Sequence, residues 1–584
     1  MAEQEPVLTE AFLTAQSEGK AFTLKYKNRF LYSKYNPQKN ILQAVQSIEL
    51  LPGTLVLVFS PALFYGFEEL EQKCKASSSA VLCVEADKGL HDYEKKVIKE
   101  KALAAALLPF EENTAQGLDD FFSKSKQKFR RVVRLDFSAG VSFYEDFYRA
   151  FYECAQNIIA AFWKNRLTLV RLGRLFGKNL FKNLLPAASS ILFDALEKTV
   201  EKPILVCGAG ESLDQLTALP CGDRFKGQNS AAAINDKFFV LAVDAALPAL
   251  EDAGIKIDAA ASTESQWAIE KAYIGLKGAL AKNKERPIFF FDLSSRAQIA
   301  RRFSKSASFY FSEFDKNNFL SRLQKEGLLP ASAPPLGSIG LTAVYLALRL
   351  RKSADVPVCV LGLDFSFSAG QTHARGTAQS KALLAQSNRL RPAQNCAAAF
   401  APGTEKILGK DGRACWTSKN LFGYAALFKQ YFNGAPALYD LGESGIDLGL
   451  EKKRLSDFFT KRAASNDLWL SSQAAASNDF GLAKAAGLSD AERVQKVRDF
   501  LKKELDALRA LADLLSNGEA AKSRDKSIAP DKQIMAALDG REYLYLHFPD
   551  GTEAKPERSF LTRVRAQIDF FAKDIETALA IAAR

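Results

Sequence analysis

From residue 203 onward the chain repeats a pattern that leaves few architectures open: the apolar runs PILVC, FFVLAV, IKIDAAAST, RPIFFFD, ASFYFS and VPVCVLGLDF alternate with helical segments. Runs like these, β-branched or aromatic and bounded by polar or Gly-containing turns, are strands covered on both faces, as in a mostly parallel α/β sheet. Such sheets hold ligands in the crevice beyond the carboxyl ends of their strands, so the chemistry is expected there. With 584 residues the chain is too long for one core. The expected organisation is an N-terminal α/β domain over 1–165, a central α/β domain over 166–450 and an α-helical domain over 451–584.

The first of these opens with a polar, Lys- and Tyr-rich stretch, followed by LPGTLVLVFSPALFYGFEEL and SAVLCVEAD, which read as strand, turn, helix and second strand. This is half of a Rossmann-type unit, but its turn reads FSPALFYG where a phosphate-binding version carries G-x-G-x-x-G. A Gly-poor turn keeps backbone N–H groups away from a pyrophosphate, so the domain is expected to be a degenerate Rossmann-like scaffold. Residues 166–200, including RLTLVRLGRLFGKNLFKNLL, read as an amphipathic helix that either connects domains or touches substrate. After about 440 the sheet signal fades into a linker-like AASNDLWLSSQAAASNDFG. Ser489 and Glu492 then form a capping box before a helix striped with Val494, Val497, Leu501, Leu505, Leu508, Leu511 and Leu515, with Asn517-Gly518 as its expected stop. A second stripe, Leu561, Val564, Ile568, Phe571, Ile575 and Leu579, suits a helical hairpin, with a partner-binding surface as the alternative.

Composition closes off other classes. No run of about 18 apolar residues occurs and the start, MAEQEPVLTE, is polar and acidic, which disfavours a membrane span and Sec export. The net charge of +12 is spread along the chain rather than gathered in a stripe, which points to anionic small molecules or an acidic partner instead of nucleic acid. Cys74, Cys83, Cys154, Cys207, Cys221, Cys359, Cys396 and Cys415 form no CxxC pair and read as reduced thiols of a cytoplasmic protein. His91, His373 and His547 are too far apart for a recognisable zinc site, so no metal site is expected.

Three segments carry the candidate chemistry. In PILVCGAGESLDQL, Gly208-Ala209-Gly210 joins a strand to a helix start at Ser212, a turn that either cradles a phosphate or merely connects tightly packed elements. In VLAVDAALPALEDAGIKIDAAASTESQ, Asp244 ends one strand and Thr263-Glu264-Ser265 the next, so both converge on the crevice; Asp244 also suits a helix cap. In PPLGSIGLTAVYLALRL and VPVCVLGLDFSFSAGQTHARGT, Gly337-Ser338 opens a helix, Gly362 and Asp364 end a strand, and His373 and Arg375 sit in the following loop.

GAGESL, VDAALPALEDAGIKIDAAASTES, GSIGLTAVYLALRL, VLGLDFSFSAGQTHARG and LYDLGESGIDLG, in this order, resemble the motility-associated factor (Maf) flagellin glycosyltransferases over about 160–450. The N-terminal unit matches them in layout, and the helix bearing Asn179 and Asn183 looks like their pre-catalytic helix. The resemblance implies a cytoplasmic enzyme that moves a nonulosonic acid of pseudaminic or legionaminic type from its CMP-activated form to Ser or Thr hydroxyls of flagellin. It also implies a Rossmann-like central domain similar to bacterial sialyltransferases, whose G-x-G-P-S-L turn reads Gly208-Ala209-Gly210-Glu211-Ser212-Leu213 here. Glu211 replaces the usual Pro and is expected to bring a carboxylate near the phosphate. The helix start that matches the sialyltransferase catalytic His, Trp416-Thr417-Ser418-Lys419-Asn420, contains no His.

On this reading Gly208, Gly210, Ser212, Leu213, Asp244, Thr263, Gly337, Ser338 and Gly362 bind the donor, and the helix starts stabilise the departing phosphate. The general base comes from Asp364, His373 or Glu264, with His373 favoured. Residues 200–370 contain no D-x-D, so no cofactor beyond the CMP-sugar donor is required. Two other readings stand beside it. A pterin pyrophosphokinase-like enzyme shares the Gly-rich turn and would use Asp244, Glu264 and Asp364 around ATP and Mg²⁺. A non-catalytic scaffold for flagellar subunits would use the helical stripes as a docking groove.

Overall fold

The computed structural model describes residues 14–15, 22–125, 128–217, 231–274, 276, 287–312, 318–392, 396–460, 489–521 and 529–581. Cys221 and the stretch AASNDLWLSSQAAASNDFG lie outside the described residues. The chain divides into two compact units, Met1–Thr168 and Leu169–Arg584.

The first unit is built on a three-stranded parallel sheet of β1 (Thr54–Phe59), β2 (Ala80–Val84) and β3 (Arg131–Asp136), with β1 in the middle. The carboxyl end of this sheet is filled by the unit's own side chains. The turn after β1 takes left-handed backbone at Ser60, Ala62 and Phe64, and the Ala62 N–H donates to Glu94 Oε1 at 2.7 Å. Glu85, at the end of β2, accepts from the Asp87 N–H and from the Tyr148 hydroxyl. Burial pushes the carboxyl pKa of Glu85 up and that of Glu94 well up. Asp87 caps helix α1 (Lys88–Glu100), receives the Tyr26 hydroxyl and pairs with Lys27 at 2.7 Å. The N–H groups and space that a phosphate would need are already taken.

Helix α2 spans Glu145–Ala188, beginning some twenty residues before the expected 166 and stopping short of 200. Pro186 lies in its last turn and Ser189-Ser190 follow, which ends it. Asn179 and Asn183 are buried. Their side-chain amides donate to the backbone carbonyls of Ser265 and Ser294, and of Leu293 and Ser295, and so pin two loops at the carboxyl edge of the second sheet.

That sheet has nine strands, all parallel: β4 (Ile204–Cys207), β5 (Phe239–Val243), β6 (Ala259–Ser262), β7 (Ile288–Asp292), β8 (Ala307–Ser312), β9 (Ala331–Ala333), β10 (Val358–Leu361), β13 (Leu438–Asp440) and β14 (Glu451–Lys452). A separate antiparallel hairpin of β11 (Thr404–Leu408) and β12 (Ala414–Ser418) is inserted before β13. The spatial order runs β9, β8, β7, β6, β5, β4, β10, β13, β14. The chain therefore builds outward from β4 to β9, returns through helix α3 (Ile339–Leu350) and resumes on the other side of β4 with β10. Strands β4, β6, β7 and β10 are buried throughout, as their unbroken apolar character requires when both faces are covered.

The two long C-terminal helices are α5 (Asp490–Ala521) and α6 (Arg558–Ile581), which pack on each other as expected from their stripes. The capping box is present, with the Ser489 N–H on Glu492 Oε2 at 2.7 Å and the Glu492 N–H on Ser489 Oγ at 3.3 Å. Two expectations are corrected. Helix α5 runs through Asn517-Gly518 to Ala521, since a mid-helix Gly costs only about 1 kcal/mol and a helix already in progress tolerates it. The helices also lack a core of their own: Leu501, Leu508, Val564 and Phe571 share one apolar core with the sheet. Phe181, Tyr543 and Phe571 form an aromatic cluster with centroids 4.9–6.0 Å apart. Buried Glu504 accepts from Tyr543 at 2.6 Å and pairs with Arg322, on a helix beside the sheet, at 2.7 Å. The region expected as a third domain is thus part of the second unit.

This makes the C-terminal helices necessary for the sheet's stability. Phe571→Ala should cost about 3–5 kcal/mol in urea unfolding, and the far-UV and near-UV transitions of the second unit should move together. Truncation after 485 should leave the second unit without a cooperative near-UV transition.

Candidate active site

β4 and β10 are neighbours in space on opposite sides of the chain's reversal, so their carboxyl ends form the switch point where doubly wound sheets open a crevice. The turns that follow them touch backbone to backbone. The Gly208 N–H donates to Leu361 O at 2.7 Å and the Gly210 N–H to Gly362 O at 2.8 Å. A Cβ on Gly208 would lie 2.2 Å from Gly362 O, and one on Gly210 would lie 2.6 Å from Asp364 Oδ2. Gly362 itself has φ +75° and its Cβ would meet Gly208 O at 2.4 Å. The glycines are therefore required by the contact between the two turns.

Ser212 and Asp364 fasten that contact. The Ser212 N–H donates to Asp364 Oδ2 at 2.7 Å, its hydroxyl bonds Asp364 Oδ1, and the Gly362 N–H donates to the same hydroxyl at 2.9 Å. Both oxygens of Asp364 are thereby occupied, and burial pushes its pKa up to about 6. The expectation that the Gly210–Ser212 turn offers its N–H groups to a phosphate is corrected: the N–H groups of Gly210 and Ser212 are spent on Gly362 and Asp364. Asp364 is a clasp between the turns, not a base with a vacant oxygen. Leu213 is fully buried core. Glu211 does not border the cavity described below; its Oε2 accepts from the Ser368 N–H at 3.1 Å, so the carboxylate expected near the phosphate anchors a loop instead.

Beneath the clasp lies an ion pair with no counterpart in the sequence reading. Lys410, on the turn of the β11–β12 hairpin, places Nζ 2.5 Å from Asp440 Oδ2, and the two side chains are 2% and 4% exposed. Asp440 also accepts from the Gly442 N–H, and the same loop returns the Ile446 N–H to Asp364 O at 2.9 Å. A lone Lys in the sequence GKDGR, far from its partner along the chain, carries no local signal of this role.

The crevice is a cavity of about 840 Å³. Of the expected residues, Gly208, Gly210, Gly362, Asp364, Ser338 and His373 border it. Ser338 and Gly340 stand at the start of α3, whose first turn leaves backbone N–H groups without intrahelical partners. Gly337, with φ +69°, sets the turn just before it. Lys271, which sequence reasoning passed over, borders the same cavity.

Of the other expected residues, Asp244, Thr263 and Glu264 do not border the cavity. Asp244 is buried, accepts from the Ser262 hydroxyl and the Ala245 N–H at 2.7 Å each, and is pushed up to about 7 by burial. Thr263 and Glu264 follow β6, with Glu264 Oε1 accepting from the Gln266 N–H at 2.9 Å. His373 is carried by a well-tethered loop: Ser368 bonds Glu211, Gln371 and the Arg375 N–H bond Asp214, and the Ala374 N–H bonds Ala209 O. Its Nδ1 lies 3.1 Å from Thr372 Oγ1, and burial lowers its pKa, so the ring is neutral at pH 7. The Trp416–Asn420 segment holds this loop by backbone bonds between Trp416 and Phe367 and by the Thr417 hydroxyl on Phe365 O. Among the described residues no three His, Cys, Asp or Glu side chains converge as metal ligands.

Two outcomes follow from this geometry. Gly210→Ala should destabilise the second unit as well as abolish ligand binding, because the new methyl collides with Asp364. Lys410→Met leaves Asp440 buried without its cation and should cost about 3–5 kcal/mol in urea unfolding, with Lys410→Met/Asp440→Asn recovering most of it. Loss of the cation also raises the Asp364 pKa above its value of about 6.

Comparison with known proteins agrees with this architecture. The 6-hydroxymethylpterin diphosphokinase MptE-like family model matches residues 176–370. An uncharacterized protein of Treponema pallidum (strain Nichols) is 32% identical over 569 residues, covering 94% of this chain and 93% of that protein. The structure of the Maf glycosyltransferase from Magnetospirillum magneticum AMB-1 is similar with a TM-score of 0.50 at 12% identity, over 98% of this chain and 91% of that one. The Maf resemblance read from the sequence segments is thus borne out in the fold: the chain belongs to the same family as the Treponema pallidum protein and has the fold of the Maf glycosyltransferase.

Proposed function

We propose that this chain is a cytoplasmic glycosyltransferase that transfers a nonulosonic acid from a CMP-activated donor to Ser or Thr hydroxyls of flagellin. The observation that carries the reading is the cavity at the switch point, which pairs an anion-stabilising helix start at Ser338–Gly340 with a neutral, half-buried His373 on its wall. The reaction needs a place for the departing CMP phosphate and a group that removes the acceptor proton as the anomeric carbon is attacked. The start of α3 with Lys271 meets the first need by preorganised N–H dipoles and charge. His373 meets the second, since its lowered pKa keeps a ring nitrogen unprotonated at neutrality. Gly208, Gly210 and Gly362 shape the floor, Asp364 and Ser212 hold it rigid, and Asp244, Thr263 and Glu264 form the flank toward β6. No described helix is long and apolar enough to cross a membrane, in keeping with this assignment.

The match to a diphosphokinase family model over 176–370 supports a second reading, an ATP-dependent pterin pyrophosphokinase-like enzyme. That chemistry gathers carboxylates around metal-bound phosphates. Here Asp364 is bound by Ser212, Asp244 by Ser262, and Glu264 by the Gln266 N–H, which favours the transferase. The scaffold reading loses its main support, because the helical stripes are packed into the core.

Intact-mass measurement of flagellin from cells with and without this gene tests the assignment, and identical masses overturn it. In titrations the protein should bind CMP; a preference for ATP that requires Mg²⁺ selects the second reading. His373→Ala should keep CMP affinity and lower transfer about 10²–10⁴-fold. Wild-type transfer should fall as the pH drops below the ordinary His value of 6.5, because the folded pKa is depressed and the base protonates only under acid. Near-normal transfer by His373→Ala moves the base to Glu264.

A further inference from the structure

The largest excursion from the sheet lies between β10 and β13, and its first part has an unusual composition. From Phe365 to Thr404 it carries four cationic side chains, Arg375, Lys381, Arg389 and Arg391, and not one Asp or Glu. Two of these are engaged: Lys381 lies 2.6 Å from Asp252 and Arg375 3.5 Å from Asp214. Arg389 and Arg391 are exposed, and no ion pair among the described residues involves them. Helix α4 (Ala378–Gln386) buries none of its residues. Leu384, Leu390 and Phe400, all in this one segment, are 58%, 92% and 79% exposed. The inner side of the same segment, Ala382, Leu383 and Ala398, forms part of the cavity wall.

We infer that this surface docks the acceptor polypeptide, through an acidic segment that bears apolar side chains, beside the hydroxyl that enters the cavity. The inference rests on the transferase reading and adds to it the acceptor's binding face and chemistry. Two unpaired guanidinium groups in a stretch without carboxylates call for negative charge on the partner. The exposed Leu384 and Leu390 call for aliphatic or aromatic side chains beside that charge, and two leucines to a single exposed aromatic, Phe400, favour a polypeptide over nucleic acid, which is gripped by successive stacking aromatics. Continuity with the cavity wall supplies the reason for the position: a chain held here delivers its Ser or Thr to the donor without crossing open solvent.

The test uses the full chain and monomeric flagellin from the same cells. Two variants, Arg389→Glu/Arg391→Glu and Leu384→Ser/Leu390→Ser, alter only exposed side chains away from the cavity wall. Each should raise the KM for flagellin about tenfold, with kcat, CMP affinity and hydrolysis of the donor by water unchanged. Raising salt from about 50 to about 300 mM should raise the wild-type KM and leave that of the charge-reversed variant nearly unaffected. A KM within about twofold of wild type in either variant overturns the docking surface. So does tighter wild-type binding of a single-stranded RNA than of flagellin. If the wild type neither consumes donor nor modifies flagellin, the transferase reading fails on its own. Direct flagellin binding to immobilised wild type and variants then decides the surface, which is overturned by equal binding or by none to the wild type.

Discussion

Everything at the active site depends on two polypeptide turns approaching closer than side chains permit. Gly208 and Gly362 meet carbonyl against α-carbon, and the space between them is smaller than a methyl group. Because that contact joins the first strand of the sheet to the strand that closes the circuit beside it, it sets the floor of the crevice and the direction of both following loops. Ser212 and Asp364 convert proximity into a fixed geometry. Below them Lys410, paired with Asp440, supplies a positive charge that favours the ionised form of Asp364 and so works against the effect of burial.

The two units show what turn chemistry decides. Both place short apolar strands in parallel with helices around them. In the first, the turn after β1 is directed by Ala62 onto Glu94, and the hairpin carrying Lys27 covers Asp87. Its crevice is closed by buried hydrogen bonds. In the second, glycines draw the turns together beneath the surface, so the space above remains open as a cavity. A similar topology thus yields a filled core in one unit and a binding site in the other.

The strands of the second unit were legible because a strand buried on both faces has no freedom to be polar, and PILVC or RPIFFFD announces that burial locally. The positions of the site were legible for the same reason: polar residues that interrupt an apolar run mark its carboxyl end. Their roles were not. A Gly-x-Gly turn reads the same whether it faces a phosphate or another turn, and only Gly362, some 150 residues on, tells which. The stripes of α5 and α6 were legible as faces, but their partners, Phe181 and Arg322, lie far away in sequence. Hence they read as a separate module when they are part of one core. Lys410 was invisible because a lysine in a polar turn is ordinarily solvated.

The connection between β4 and β10 also bears on how the chain is made. Ser212 and its partner Asp364 are 152 residues apart, so at about 5–20 residues per second the ribosome exposes one roughly 8–30 s before the other. Throughout that interval the strand destined for the middle of the sheet has one bare, apolar edge, the type of surface that recruits other chains. During synthesis the vulnerable element is therefore β4, a strand that ends up enclosed between two neighbours, and a nascent chain stalled between the two turns presents the greatest hazard of misassembly.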